Sequence, residues 1–373
     1  MQFAELSTVK HRVQLGVPLP FNVRHADTTL LLARGQQIAS QDQLDALFAR
    51  GALVDMAELR SPLDLIRQAP RDQLPGLWGQ CLNRVSDVLR QPHKEGFASA
   101  LGEAAGPVQE LIARDPDLAI FQVLRQSGNA DMDYGAQRSL QTAITSHLVA
   151  QRLGWDAPQA ELAFKVALTS NLAMLELQGM LARQSHLLTE EQKLLCRNHP
   201  LRSARMLEQA GVSDNYWLRA VERHHEREDG SGYPAGISEV GEVAALVRRA
   251  DIYTSKLAGR SSRDALAADQ AGRQMFMQDS GHPMTAALVK EFGIYPPGCM
   301  VRLVSGELAV VVGRGPTIGA PVVSCLTSAR GAQIDKPVRV STAEKGRGVV
   351  GVVGESQFDK PQPTQRLLAA LAA

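Results

Sequence analysis

The sequence predicts a mainly α protein in which a central helical bundle is flanked by a small N-terminal α+β module and a small C-terminal β module. Three observations carry this. Apolar residues recur at helical spacing through residues 140–153, 162–181, 190–210 and 240–257. Before them, Pro62, Pro70, Pro75, Pro92, Pro107 and Pro116 punctuate a stretch that reads as successive helices starting and stopping. After Pro296-Pro297-Gly298 the chain changes to short β-branched runs separated by Gly and Pro.

In order along the chain, residues 1–60 form the N-terminal module. Short apolar runs such as Val13-Gln-Leu-Gly-Val and Thr29-Leu-Leu-Leu are broken by turn residues and read as a few strands. Ser40 is the N-cap of one helix that carries Leu44, Leu47 and Phe48 at helical spacing. Residues 61–133 are a helical linker bundle, with Val108, Leu111, Ile112, Leu118, Ile120, Phe121 and Leu124 as its core stripe. Residues 134–296 are the central helical domain. Residues 297–373 are a β-rich module with a tail, its strands lying within about 297–355. The Gly313-Arg-Gly-Pro run lacks the lysine and the helix of a phosphate loop and reads as a hairpin turn.

The composition narrows the function classes. Lysine plus arginine (40) nearly cancels aspartate plus glutamate (39), so no global field points to nucleic acid or an anionic membrane, and an anionic ligand would need a local cluster. No apolar run is long enough to span a membrane and the first residues lack a secretory pattern, so a cytoplasmic location is expected. Cys81, Cys196, Cys299 and Cys325 form no CxxC pair and are expected to be reduced, mostly buried thiols.

The chemistry concentrates in residues 224–234, His-His-Glu-Arg-Glu-Asp-Gly-Ser-Gly-Tyr-Pro. A helix ending near Glu226 would hand over to Asp229-Gly230-Ser231-Gly232, whose glycines supply positive φ for a chain reversal. Neighbouring side chains on a helix diverge by about 100°, so His224 and His225 can share one metal only in a loosened last turn.

This string resembles, position for position, the HHExxDGxGYP signature of the HD-GYP phosphohydrolases, a bacterial family that the resemblance links to hydrolysis of cyclic di-GMP. The likeness covers about 135–295 and implies a helical HD-type domain. It also implies hydrolysis by two or three closely held divalent metals, which needs a carboxylate bridge and a ring of imidazoles. Several positions depart from that pattern. With Leu153-Gly154 fixing the register, the family's first histidine falls on Arg138. His147, nine residues on, faces the other way and reads as a structural histidine. The His-Asp pair falls on Ser170 and Asn171, and the following lysine on Met174. Serine is a poor substitute for imidazole, and neutral asparagine supplies no anionic bridge.

What remains is a residual metal set of His199, His224, His225 and Asp251. Arg138 is an expected ligand-binding residue, because a guanidinium can grip phosphate without metal, and the resemblance adds Arg260 and Arg263, which fall on the arginines of the family's nucleotide-holding Arg-Pro-Tyr-Arg run. Asp229, Gly230, Gly232, Tyr233 and Pro234 form the expected interaction loop. The resemblance therefore implies a catalytically degenerate member, a cyclic di-GMP receptor or protein-interaction regulator without hydrolysis, with diguanylate cyclase (GGDEF) domains as candidate partners. It implies no metal or a single divalent metal, and no two-metal centre. A weakened metal-dependent phosphodiesterase working on the residual histidine cage is the alternative, and a scaffold with merely buried histidines a third reading. The oligomeric state is left open.

Overall fold

The computed structural model describes residues 2–59, 61–125, 134–261, 264–279, 281–317, 319–360 and 362–372. Contacts divide the chain into two units, Met1–Ala69 and Pro70–Ala373.

In the first unit, strands β1 (Phe3–Glu5), β2 (Val23–Arg24), β3 (Leu30–Leu32) and β4 (Leu53–Asp55) form an antiparallel sheet in the order β1-β4-β2-β3. Helix α1 (Gln41–Ala49) begins as expected at Ser40, whose side chain accepts from the Gln43 amide at 3.2 Å. Leu6, Phe21, Val23, Ile38, Leu44 and Val54 close a small core. The short α2 (Met56–Leu59) and then α3 (Pro62–Gln68), with Ser61 and Asp64 as a capping box, complete the unit. The unit thus runs to Ala69, beyond the boundary expected at residue 60.

The second unit opens with α4 (Leu74–Leu89), α5 (Phe97–Arg114) and α6 (Pro116–Arg125). Pro75 and Pro116 sit in first turns, where the missing N–H costs nothing. Pro107 departs from expectation: it lies buried inside α5 rather than at an end. Its lost backbone bond is tolerated because Leu101, Ala104, Ala105, Val108 and Leu111 bury that helix over several turns.

The bundle continues with α7 (Tyr134–Arg152), α8 (Ala157–Thr169), α9 (Leu175–Arg183), α10 (Glu190–Gln209), α11 (Asn215–Arg223), α12 (Glu242–Leu257), α13 (Ala268–Gln278) and α14 (Pro283–Phe292). Its axis is α7, buried from Arg138 to Ala150 and packed on α8 and α12. Gly154, at φ +79°, ends α7 as Leu153-Gly154 predicts, with the Trp155 amide returning to the Ala150 carbonyl at 3.1 Å. The single helix expected over 162–181 is instead two. Ser170 caps α8, Asn171 and Met174 leave helical geometry, and the Ala173 amide bonds the Ser203 hydroxyl at 3.1 Å instead of a helical carbonyl. Apolar periodicity continues through that break, which is why the sequence hides it.

The C-terminal strands β5 (Met300–Leu303), β6 (Leu308–Gly313), β7 (Val322–Thr327), β8 (Gln333–Ser341) and β9 (Val349–Val352) form an antiparallel sheet in the order β8-β7-β6-β5-β9. Val301, Leu303, Ala309, Val311, Val323 and Val340 make its core. The Gly313-Arg-Gly-Pro run begins the β6–β7 connection, where Arg314 pairs with Asp117 and Glu291. The tail ends in a further helix, α15 (Thr364–Ala372). Among the described residues no helix is long and apolar enough to cross a membrane.

Candidate metal centre and signature loop

Three of the expected residues converge. The ligand atoms of His199, His224 and His225 lie within 4.8 Å of one another, and among the described residues they are the group of this kind that could hold a metal ion. His199 comes from α10; His224 is the residue that caps α11, and His225 follows it in the turn. The helix ends at Arg223, three residues before the end expected near Glu226, and this early end is what lets two consecutive histidines face one point.

Backbone groups left over by the helices orient two of these rings. Pro200 sits inside α10 and has no N–H, so the Cys196 carbonyl, four residues earlier, loses its helical donor. The His199 Nδ1 lies 2.6 Å from that oxygen. In the same way, the Val221 carbonyl is an unsatisfied acceptor in the last turn of α11, and the His224 Nδ1 lies 2.6 Å from it. A carbonyl only accepts, so each Nδ1 carries the proton and each Nε2 presents a lone pair. Those two Nε2 atoms face each other at 3.1 Å.

That contact is repulsive in a metal-free site, because neither neutral ring has a proton to donate across it. Burial first, then the His224 ring, holds the His199 imidazole down at about 3. Burial likewise lowers His224, against the Val221 bond and the Asp251 charge, and lowers His225 well below the ordinary value. Two nitrogens on one tetrahedral ion at 2.0–2.1 Å stand about 3.3 Å apart. The donor set therefore fits one divalent cation of the zinc, iron or manganese kind.

The other expected positions fall outside this trio. Asp251 lies on α12 and is not part of the cluster. Its Oδ1 accepts from the Arg138 guanidinium at 3.1 Å, and its carbonyl oxygen accepts from the same guanidinium nitrogen at 3.2 Å. This redirects the expectation for Arg138: the side chain is buried and committed to Asp251 rather than presented to a phosphate. Ser170 and Asn171 are buried too, with the Ser170 hydroxyl on the Ala167 carbonyl at 3.2 Å and the Asn171 amide on Ser170 at 3.4 Å. Met174 is buried and apolar. Arg260 is exposed, donates to the Ser255 hydroxyl at 3.2 Å and lines a cleft with Tyr134, Arg183 and Asp264. Arg263 lies outside the described residues. His147 is held in the core between the Ala160 carbonyl at 3.3 Å and Gln151 at 3.1 Å, edge-on to Phe164.

The loop after the histidines is built around a residue that sequence reasoning missed. Glu226 is 1% exposed, and its carboxylate accepts from the backbone amides of Ala235, Gly236 and Ile237 at 2.6 to 3.2 Å. Its place within the signature was the available signal. Asp229 accepts from the Ser231 amide and hydroxyl, and Gly230 takes φ +75°. Gly232 admits no side chain, since a Cβ there would stand 2.5 Å from the Arg227 nitrogen and the Glu226 Cα. Tyr233 then stacks on His225 at 4.6 Å between ring centres, and the Tyr233–Pro234 peptide is cis. Behind the loop, Glu228 pairs with Arg248 and Arg249, and Arg249 with Asp279, tying the signature to α12 and the α13–α14 junction.

Fold and site together define an HD domain: residues 123–281 match the family model described by that name. With its signature loop, this domain resembles those of the HD-GYP family. Cyclic di-GMP phosphodiesterase PA4108 of Pseudomonas aeruginosa is 29% identical over 244 residues, 63% of this chain and 58% of that protein. The cyclic di-GMP phosphodiesterase response regulator RpfG of Xanthomonas campestris is 26% identical over 183 residues, 46% of this chain and 44% of that protein. The chain thus spans about half the length of these curated relatives. The solved structure of Bd1817 from Bdellovibrio bacteriovorus, described as an HDG"Y"P protein, shares the fold at a TM-score of 0.50 and 16% identity, over 78% of this chain and 98% of that one.

Proposed function

We propose that this protein acts in cyclic di-GMP signalling as a receptor or protein-interaction regulator that does not turn the nucleotide over. The observation that carries the reading is the pair Ser170 and Asn171, buried at the end of α8. A hydroxyl bonded to its own helix and a neutral amide supply neither the imidazole nor the anionic bridge that a two-metal centre requires. The similarity to cyclic di-GMP phosphodiesterases supports the ligand class. The loop is a preformed surface, with Asp229 and Ser231 exposed above a rigid base of Glu226 and Gly232. It suits contact with another signalling protein such as a diguanylate cyclase domain.

A second reading is favoured by the facing Nε2 atoms of His199 and His224. Here His199, His224 and His225 would hold one divalent ion, which when bound supplies Lewis-acid polarisation of a phosphate oxygen. The chain's own part would be to orient two rings through the Cys196 and Val221 carbonyls and to pack Tyr233 against the third. A weakened phosphodiesterase follows from that reading.

Calorimetric titration of cyclic di-GMP into protein of measured metal content, followed by chromatography of the products, separates the two. Binding with the nucleotide recovered intact supports the receptor. Sustained conversion to linear product at stoichiometric Mn²⁺ would overturn it in favour of the one-metal enzyme. Absence of binding would leave protein interaction as the role.

A further inference from the structure

We propose that Arg138 is a resident cation that withholds Asp251 from the imidazole trio and so limits how tightly the site holds metal. The inference rests on the reading of His199, His224 and His225 as the metal donors.

The geometry begins with an anomaly of burial. Arg138 is 3% exposed, on a helix enclosed on nearly every face, where a guanidinium survives only against a partner of opposite charge. That partner is Asp251, on the neighbouring α12. One terminal nitrogen of Arg138 serves both the carboxylate of Asp251, at 3.1 Å, and its carbonyl, at 3.2 Å. Gln141 lies 3.5 Å from the other terminal nitrogen, and Gln141 is itself fixed by donating to the Val123 carbonyl at 3.0 Å. Thr142, 3.5 Å from the same carboxylate oxygen, is joined to Thr254 at 3.1 Å, so both helices hold the pair in place.

Asp251 is held on α12 by Arg138, and its oxygens are not part of the cluster of ligand atoms. Three neutral imidazoles bring no negative charge to a dication. A carboxylate would be the natural fourth donor, because it supplies both a ligand and a countercharge. Here that charge is already neutralised by a cation that cannot dissociate, and the same cation repels a dication nearby. Arg138 therefore does for Asp251 what a second metal ion would do, permanently and without exchange.

The test is zinc affinity of the full chain by competition with a chelator, for wild type, Arg138→Gln, Asp251→Asn and the double variant. Arg138→Gln is expected to bind at least about tenfold more tightly, since it frees a carboxylate and removes a positive charge. Asp251→Asn is expected to bind no more tightly than wild type. The double variant, without the carboxylate, should lose most of the gain. Thermal melting gives a second readout: Arg138→Gln should melt lower without zinc, because the half-buried Asp251 carboxylate loses its cation, and show a larger zinc-induced rise than wild type. Should Arg138→Gln fail to fold, Arg138→Lys, which loses the planar fork, should show a smaller gain in the same direction.

Zinc binding by wild type with unchanged or weaker binding by Arg138→Gln would overturn the inference alone. A gain that persists in full in the double variant would likewise overturn it, because repulsion without withholding would then explain the affinity. No binding by any variant would overturn the metal reading of the trio as well.

Discussion

The Nε2 atoms of His199 and His224 face each other at 3.1 Å with both Nδ1 atoms turned to backbone carbonyls. Two lone pairs opposed in a buried site are a stored repulsion that a cation relieves. Zinc should therefore raise the melting temperature of wild type, by about 2.7 kcal/mol of added stability at a hundredfold excess over Kd. His224→Ala should abolish this response, as read by differential scanning fluorimetry with and without the ion.

Pro200→Ala should move stability and metal affinity in opposite directions. Alanine restores the N–H that a helix interior wants, so melting temperature is expected to hold or rise. The new N–H competes for the Cys196 carbonyl, the group that orients His199. Loss of such an orienting partner costs about 10–100-fold in metal affinity. Equal affinity for the two proteins in a chelator competition would show that the ring does not need this bond.

Gly232→Ala should displace the signature loop. Its Cβ would stand 2.5 Å from backbone atoms of Glu226 and Arg227 and 2.6 Å from the His225 carbonyl, none of which is the end of a flexible side chain. A loss of about 1–3 kcal/mol is expected from the overpacking, measured by urea denaturation. Faster amide exchange at Ala235, Gly236 and Ile237 would show the Glu226 anchor loosening with it.

Acidification should destabilise the metal-free protein. Burial holds the folded-state values of His199, His224 and His225 below the ordinary histidine value, about 3 for His199. The unfolded chain then binds more protons as pH falls. The stability contribution is fully present above about pH 6.5 and is lost below it, at up to about 1.4 kcal/mol per pH unit for each histidine. Urea midpoints between pH 7.5 and 5.5 measure this, and His224→Ala should flatten the slope.

Asp279→Asn should weaken the support behind the loop. Arg249 is 1% exposed and shares its charge between Asp279, at 2.7 Å, and Glu228, at 2.9 Å. Leaving a buried guanidinium half-paired is expected to cost about 3 kcal/mol, because Glu228 alone is partly exposed. Chemical denaturation of the single variant against wild type gives the value directly.

Much of this protein was legible as one-dimensional pattern. Helical periodicity located the bundle, β-branched runs after Pro297 located the second sheet, and the spacing of residues 224–234 located the loop and its two histidines. Ser40, Pro75 and Gly154 each set a boundary by local chemistry, which needs only near neighbours in the chain. The break after Ser170 and the helical tail were not legible, since apolar spacing continues through the first and the second follows a β-rich module that reads only as ending in a tail.

The sequence by itself determined which side chains stand at these positions: the imidazoles of His199, His224 and His225, and Arg138, Ser170 and Asn171. Only the tertiary structure decided what those residues do with one another. Arg138 and Asp251 are 113 positions apart, and nothing in the local spacing of either says that they pair. The same holds for Arg249 and Asp279, and for the ring of His199 against that of His224. Charge neutralisation and lone-pair orientation depend on distances across helices, and packing fixes those distances where periodicity does not.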